Sequence, residues 1–240
     1  MSAVIALHPP IKSWSHSRLG DFEACRHRAH LKYVDKIPEP ERPLPAGKTE
    51  HANDRGTRVH TEIENYARGK TDELPHEARF FKAEIDKLRV MFTAGAVSFE
   101  GEWGFDRGWN ATDWKTAWLR LKLDGLAHLS TVEAVAIDYK TGKMWGNEIK
   151  HGEQLQLYAL CSFLRYPKLE VVHTELWYLD LDDMTQRTLT RDQSLRFKRG
   201  FDLRGSAMTT ATEFPANGNK HSCKWCPYLE TEHCMDGVRG

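Results

Sequence analysis

The chain has 240 residues, 40% of them hydrophobic, which is enough for a sizeable core and fits one domain with appended elements. Its 34 Lys and Arg residues balance its 34 Asp and Glu residues, so net charge gives no support to non-specific polyanion binding. No apolar stretch reaches the roughly 18 residues of a membrane span, and no secretory signal is recognisable, so we expect a cytoplasmic protein.

The first part of the chain predicts three helices and a proline-rich connection. A helix over about residues 13–35 begins near good N-cap residues such as Ser15. Four prolines between residues 38 and 45 then exclude regular helix. A second helix is predicted from about Arg55 to Arg68 and a third from Glu77 to Phe92.

Strands are predicted between Val97 and Tyr139, where apolar and polar residues alternate. Leucines occupy alternate positions from Leu119 to Leu123, so Asp124 faces the opposite side of its strand. The next strand ends with Asp138 and Lys140, which share a face and lie roughly 7 Å apart along the backbone.

The two aspartates, Asp124 and Asp138, are predicted to share one site. They are 14 residues apart, which suits neighbouring strands joined by a turn around Ser130 and Thr131. An unpaired carboxylate is costly to bury, and Mg²⁺ is a natural compensating partner. On the residues alone, these strands predict a metal site of unspecified purpose.

Downstream, the pattern predicts a helix from about Glu153 to Arg165, a strand from Val171 to Leu179 and a helix from Asp192 to Met208. Cys161, in the first of these helices, is expected to be a small buried residue. The predicted architecture is α/β, with a mixed central sheet flanked by helices in a single domain, residues 1–240.

The central residues resemble the PD-(D/E)xK nuclease superfamily, in its RecB-type branch, which includes CRISPR-associated-exonuclease-like proteins. Asp124 matches the first acid of the motif, and Asp138-Tyr139-Lys140 matches the D/E-x-K element, although no proline precedes Asp124. Two further RecB-type motifs occur in the expected order, Gly56-Thr57-Arg58-Val59-His60 upstream and Gln154-Leu155-Gln156-Leu157-Tyr158 downstream. The resemblance implies a restriction-endonuclease-like fold and metal-dependent hydrolysis of DNA.

The resemblance also implies roles for individual residues. The implied ligands of Mg²⁺ or Mn²⁺ are His60, Asp124, Asp138 and the backbone carbonyl of Tyr139. The implied catalytic set is Asp124, Asp138, Lys140, Gln154 and Tyr158. Lys140 would orient the attacking hydroxide or stabilise the transition state, and Gln154 and Tyr158 would hold the scissile phosphate or position Lys140. Glu102, on one strand face with Glu100, is a candidate for a second metal site, with a solvated strand face as the alternative.

The C-terminal tail contains Cys223-Lys224-Trp225-Cys226 and then Cys234. In RecB-type nucleases with an iron–sulfur cluster, a lone N-terminal cysteine completes such a trio, and Cys25 holds that position here. The resemblance therefore implies a 4Fe-4S cluster that joins the N-terminal helix to the segment over about residues 221–236. Two alternatives are structural Zn²⁺, with His221 or His233 in place of one thiolate, and no bound metal.

Basic and aromatic residues offer candidate contacts to DNA. Arg18 and Arg26 lie on the polar side of the first helix, and Trp118 and Arg120 precede Asp124. Arginines can meet phosphates, and aromatic faces can stack unpaired bases at roughly 1–3 kcal/mol each. A solvated helix face and core packing are the alternatives.

The resemblance implies an exonuclease that acts on single-stranded or end-containing DNA in recombination, repair or phage DNA metabolism. Its setting would be the cytoplasm of a bacterial or phage-infected cell, with a helicase or recombination protein as a candidate partner and no membrane partner. The preference for DNA ends is analogy with compact members of the branch. Three alternatives are a structure-selective or nicking endonuclease, a non-catalytic DNA-binding subunit of a recombination complex, and a zinc-ribbon interaction protein.

Overall fold

The computed structural model describes residues 8–142, 144 and 146–238, with every side chain among them except that of Glu100. The strands are β1 (Val97–Phe105), β2 (Ala111–Thr112), β3 (Leu119–His128), β4 (Glu133–Lys140), β5 (Val171–Tyr178) and β6 (Asp183–Thr190). The helices are α1 (His16–Ala24), α2 (Arg26–Tyr33), α3 (Ala52–Ala67), α4 (Lys82–Thr93), α5 (Glu148–Arg165), α6 (Arg191–Thr209) and α7 (Lys220–Cys223). The strands form one mixed sheet in the order β2-β1-β3-β4-β5-β6, which confirms the predicted α/β class.

The chain divides into two compact units. The first contains the described residues up to Pro43, Ala117–Arg120 and those from Arg199 onward; the second contains Leu44–Thr116 and Leu121–Lys198. The N-terminal helical segment and the cysteine-rich tail both belong to the first unit. The expectation of a single domain stays a prediction.

Helices cover the sheet of the second unit. Helices α3 and α4 pack against a core that includes Phe99, Ile137 and Trp177. Helix α5 contacts β4 and β5, and Leu155 on this helix packs on Leu176 and Tyr178. Strands β4 and β5 run parallel because α5 provides the crossover between them. In this parallel register Lys140 lies beside Tyr178, at the carboxyl ends of both strands.

The core of the first unit is rich in aromatic side chains. Trp14 is fully buried, with its ring 5.4 Å from that of Trp118 and 6.3 Å from that of Phe201. A Cβ on Gly205 would lie 2.5 Å from Trp14 Nε1, so only glycine permits this approach.

Several boundaries differ from those predicted. The first helix is broken at Cys25, whose extended backbone (φ −161°, ψ 113°) ends α1 and precedes α2. The third helix begins with a 3₁₀ segment, His76–Phe81. Helix α5 starts at Glu148, five residues before the predicted start at Glu153. Strand β6 was not predicted, because most of its residues are exposed and give no alternating pattern.

Within the described ranges, no helix combines the length and apolar character needed to cross a membrane.

Candidate active site

The antiparallel pairing of β3 and β4 brings the two predicted acids together. Gly125 pairs with Ile137, so Asp124 and Asp138, the next residues on each strand, lie at adjacent positions. The backbone N–H of Tyr139 donates to Asp124 Oδ2 at 2.7 Å. The Asp138 residue is only 3% exposed, so burial as well as strand pairing fixes the position of the Asp138 carboxylate.

Side chains from α5 surround Asp138. Its Oδ1 lies 2.9 Å from the hydroxyl of Tyr158 and accepts a hydrogen bond from Gln154 Nε2 at 3.0 Å. The Tyr158 hydroxyl also lies 3.1 Å from the carbonyl of Lys122. The hydroxyl has one proton, and it donates this proton to the Asp138 carboxylate because a carboxylate is the stronger acceptor. Gln154 and Tyr158 reach the same oxygen because they are one helical turn apart.

Lys140 completes this arrangement. Its Nζ lies 2.6 Å from Asp138 Oδ2 and donates to Gln154 Oε1 at 3.0 Å. The contact with Oδ2 is a buried, charge-assisted ion pair that balances the charge of this carboxylate. Gln154 therefore links Lys140 to Asp138 through both ends of its amide.

His60 approaches the site from α3. Its Nδ1 lies 3.0 Å from Asp124 Oδ1, and its ring meets the ring of Tyr139 edge-on, with centroids 5.6 Å apart. Helix α3 lies beside the end of β4 at this point, where a Cβ added to Gly56 would be in van der Waals contact with Thr141 Oγ1, at 3.4 Å. The structure thus brings His60 of the upstream motif and Gln154 and Tyr158 of the downstream motif to the two strands.

The charges of the site act on each other. Burial raises the pKa of Asp124, and the neighbouring Asp138 carboxylate raises it further, against the opposing effect of His60. Burial lowers the pKa of His60, but the hydrogen bond and charge of Asp124 outweigh it, so the net direction is upward. The pKa of Lys140 is likewise lowered by burial and raised more strongly by Asp138, which keeps the ammonium charged.

A cleft opens over His60, Asp124 and Lys140. Its lining consists of Ala52, Asn53, Gly56, Thr57, His60, Lys122, Leu123, Asp124, Tyr139, Lys140, Thr141 and Gly142. In the part of the chain that the structure describes, no group of three or more His, Cys, Asp or Glu side chains is arranged so that it could hold a metal ion. The donor types nevertheless suit a hard divalent cation, since two carboxylates and an imidazole adjoin one another.

The remaining candidates occupy other positions. Glu102 is half-exposed, and its Oε1 lies 3.3 Å from Lys122 Nζ. The side chain of Glu100 lies outside the described part of the structure. A role for either glutamate in a second metal site stays a prediction.

Trp118 requires a correction. This residue of the first unit is 5% exposed, and its indole N–H donates to Thr209 Oγ1 at 2.8 Å. No face of the ring is open to a DNA base, so the stacking prediction is wrong and core packing holds instead.

The predicted basic contacts belong to the first unit. Arg18 is half-buried, donates to the carbonyl and hydroxyl of Ser13 and stacks over Tyr33. Arg26 stacks over Phe22, with 5.0 Å from its Cζ to the ring centroid. Arg120 is half-buried. Contacts of these arginines with DNA stay predictions.

Four cysteines line one small cavity in the first unit: Cys25, Cys223, Cys226 and Cys234. Cys25 Sγ accepts a hydrogen bond from the backbone of Asn217 and Cys223 Sγ accepts one from that of Val238, each at 3.4 Å. Burial raises the pKa of the Cys234 thiol, and the other three thiols raise it further. The structure therefore brings the four predicted ligands into one neighbourhood. Cys161 is fully buried, as predicted.

Two pairs beside the site were missed. Arg55 forms a two-pronged ion pair with Asp180. His151, one turn before Gln154, lies with Nδ1 2.9 Å from the hydroxyl of Tyr178. Neither pair leaves a signal in a single sequence, because their partners come together only when α3, α5 and β5 pack.

A mixed sheet with two acids adjacent on neighbouring strands, and a lysine two residues after the second, is the arrangement of a hydrolytic nuclease. A sequence profile of the PD-(D/E)XK nuclease superfamily matches residues 13–130 and 119–231. The chain belongs to this superfamily, and its fold is restriction-endonuclease-like.

Solved structures of other proteins also align with the chain. SSO0001 aligns with a TM-score of 0.43 and 11% sequence identity, over 95% of this chain and 88% of that chain. An alkaline exonuclease from Laribacter hongkongensis, LHK-Exo, aligns with a TM-score of 0.39 and 14% identity, over 83% and 87%. LHK-Exo in complex with dAMP aligns with a TM-score of 0.33 and 15% identity, over 82% and 86%. No curated protein matches the chain.

Proposed function

We propose that the chain is a Mg²⁺- or Mn²⁺-dependent deoxyribonuclease of the RecB-type branch, acting as an exonuclease on single-stranded or end-containing DNA. The observation that carries the proposal is the network centred on Asp138, which joins Lys140, Gln154 and Tyr158. Burial of so many polar groups around one carboxylate is costly, and a structural role would be served more cheaply by apolar packing. The intact network also argues against a non-catalytic subunit. A zinc-ribbon interaction protein would have no function for these residues.

The proposed ligands of the cation are Asp124, Asp138, His60 and the carbonyl of Tyr139. When bound, a divalent cation lowers the pKa of water and stabilises charge on the phosphate in the transition state.

The other groups position and balance charge. Lys140 keeps its proton and supplies positive charge beside the carboxylates, where the scissile phosphate would lie. Gln154 orients the Lys140 ammonium, and Tyr158 orients Asp138. Tyr139 holds Asp124 through its backbone N–H.

One experiment tests the activity, the substrate and the site together. End-labelled linear and circular DNA, single- and double-stranded, would be incubated with the chain and Mg²⁺ or Mn²⁺, beside Asp138→Ala. We expect linear DNA to be degraded from its ends and Asp138→Ala to be inactive. Cleavage of circular single-stranded DNA would instead favour an endonuclease, and no cleavage by the wild-type chain would overturn the proposal.

We propose a 4Fe-4S cluster at the four cysteines of the first unit, with structural Zn²⁺ as the alternative. The cavity that all four cysteines line supports a common metal centre. After anaerobic purification, a brown protein absorbing broadly near roughly 400 nm would favour iron–sulfur. A colourless protein containing zinc would favour the alternative. The setting in recombination, repair or phage DNA metabolism, and a helicase or recombination partner, rest on the resemblance alone.

A further inference from the structure

Arg55 connects three segments of the second unit at the edge of the active site. It lies in the first turn of α3, and its Nη1 and Nη2 pair with the two carboxylate oxygens of Asp180 at 2.8 and 2.6 Å. Its Nη1 also donates to the carbonyl of Thr141 at 2.9 Å. One guanidinium thus holds two chain segments that are far apart in sequence.

Both of these segments leave the sheet at the active site. Thr141 directly follows Lys140, and Asp180 follows the end of β5, whose last residue, Tyr178, pairs with Lys140. The backbone N–H of Leu179 donates to the Lys140 carbonyl at 3.0 Å, so the two strand ends are already joined to each other. Arg55 adds α3 to this junction.

Helix α3 carries His60, five residues after Arg55. Gly56, the next residue on the helix, lies beside Thr141, where an added Cβ would be in van der Waals contact with Thr141 Oγ1 at 3.4 Å. The hydrogen bond from Arg55 to the Thr141 carbonyl opposes a shift of the helix away from the end of β4. Arg55 therefore limits how far His60 can move from the Asp138-Tyr139-Lys140 element.

We propose that Arg55 is a positioning residue for the metal site, which acts by fixing His60 on α3 relative to the ligands on β4. The inference rests on the proposed function, since it needs a cation held between these two elements. A metal site requires its ligands to be held within a few tenths of an ångström by the surrounding groups, and partners of the ligands typically contribute about 10–100-fold to metal affinity or activity.

Arg58, one turn along the same helix, is a matched control. Its guanidinium pairs with Glu50 at 2.7 Å, Glu62 at 3.1 Å and Glu77 at 2.8 Å. Arg55 also approaches Glu77, at 3.5 Å, but within the described residues Arg58 makes no hydrogen bond to the segment after β4. Removing Arg58 costs a comparable set of ion pairs without cutting the connection to Thr141.

The test is Mn²⁺ binding to the full chain, measured by calorimetry or by the electron paramagnetic resonance of free Mn²⁺, together with thermal unfolding. We expect Arg55→Ala to weaken Mn²⁺ binding about tenfold and Arg58→Ala to leave it within about twofold, even if both lower the melting temperature equally. Arg55→Lys should also weaken binding, because an ammonium cannot reproduce the planar fork. If Arg55→Ala does not fold, the Mn²⁺ affinities of Arg55→Lys and Asp180→Asn test the proposal in its place.

The outcomes separate the two proposals. Wild-type affinity in Arg55→Ala, or in both Arg55→Lys and Asp180→Asn, overturns the positioning role alone. A wild-type chain that neither binds Mn²⁺ nor cleaves DNA overturns the proposed function, and the positioning role with it.

Discussion

The ammonium of Lys140 lies 2.6 Å from the carboxylate of Asp138, with 23% and 5% of the two side chains exposed. The same carboxylate is a proposed ligand of the divalent cation. A lysine and a cation therefore share one buried anion, and each reduces the attraction of that anion for the other.

We predict that Lys140→Ala removes cleavage while Mn²⁺ binds at least as tightly as in the wild-type chain. The variant loses the positive charge proposed to act on the phosphate, and it also loses a charge that repels the incoming cation. Cleavage of linear DNA and calorimetric Mn²⁺ titration measure the two effects. Lys150→Ala, an exposed lysine on α5, is the control and should change neither. Full cleavage by Lys140→Ala would sink the assignment.

Tyr158→Phe should lower activity or metal affinity by about 10–100-fold, because Asp138 Oδ1 loses one of its two donors. A buried group left short of a hydrogen bond also costs roughly 1–3 kcal/mol of stability. Cleavage rates and denaturant unfolding measure both effects. Tyr166→Phe is the control, since the Tyr166 hydroxyl makes no hydrogen bond within the described residues. Equal behaviour of the two variants would contradict the role given to Tyr158.

Cys25→Ser should lower the iron or zinc content of the purified chain and lower the melting temperature. Cys25 lines the same cavity as the C-terminal trio, and a metal that binds only the folded chain stabilises it. Metal analysis and thermal unfolding test this expectation. Cys161→Ser controls for the loss of a thiol and should keep its metal, although it places a hydroxyl in an apolar interior. Unchanged metal content in Cys25→Ser would remove this residue from the ligand set.

The stability of the first unit should depend on His30. Burial lowers the pKa of this imidazole, and the charges of His8 and His27 lower it further. Asp35 raises the pKa, but the net effect is a lowered pKa. The folded state therefore favours neutral His30. Above the unfolded pKa of about 6.5 this histidine does not reduce the free energy of unfolding, and as the pH falls through that value the free energy of unfolding declines.

The measurement for His30 is the free energy of unfolding between about pH 7.5 and pH 5.5. His30→Gln should show a shallower decline than the wild-type chain, because it removes the group that must take up a proton. His76→Gln, which changes an exposed histidine, should keep the wild-type slope. A steeper decline in His30→Gln would reverse the predicted sign.

Much of the site was predictable because its residues sit in regular patterns. The alternating leucines before Asp124 predict its strand face, and the order of the flanking motifs identifies His60 and Tyr158. What a single sequence does not contain is the partner of a side chain. Arg55 and Asp180 are 125 residues apart, and nothing in either neighbourhood points to the other.

The parts of the fold that escaped prediction have physical causes as well. Strand β6 is exposed and held mainly by backbone pairing with β5, which leaves no periodic pattern in its residues. The break at Cys25 depends on one extended residue between two helical stretches. Trp118 was misassigned because its proximity to Asp124 in sequence says nothing of its burial against Trp14.

The complete burial of Cys161 has a practical use. Every other cysteine belongs to the first unit, and Cys25, Cys226 and Cys234 are each partly exposed. A bound metal would protect Cys25, Cys226 and Cys234 from a maleimide dye, so labelling of these cysteines would report loss of the metal from the first unit. Appearance of label on Cys161 would then report the opening of the second unit, so two regions of one chain could be followed with a single reagent.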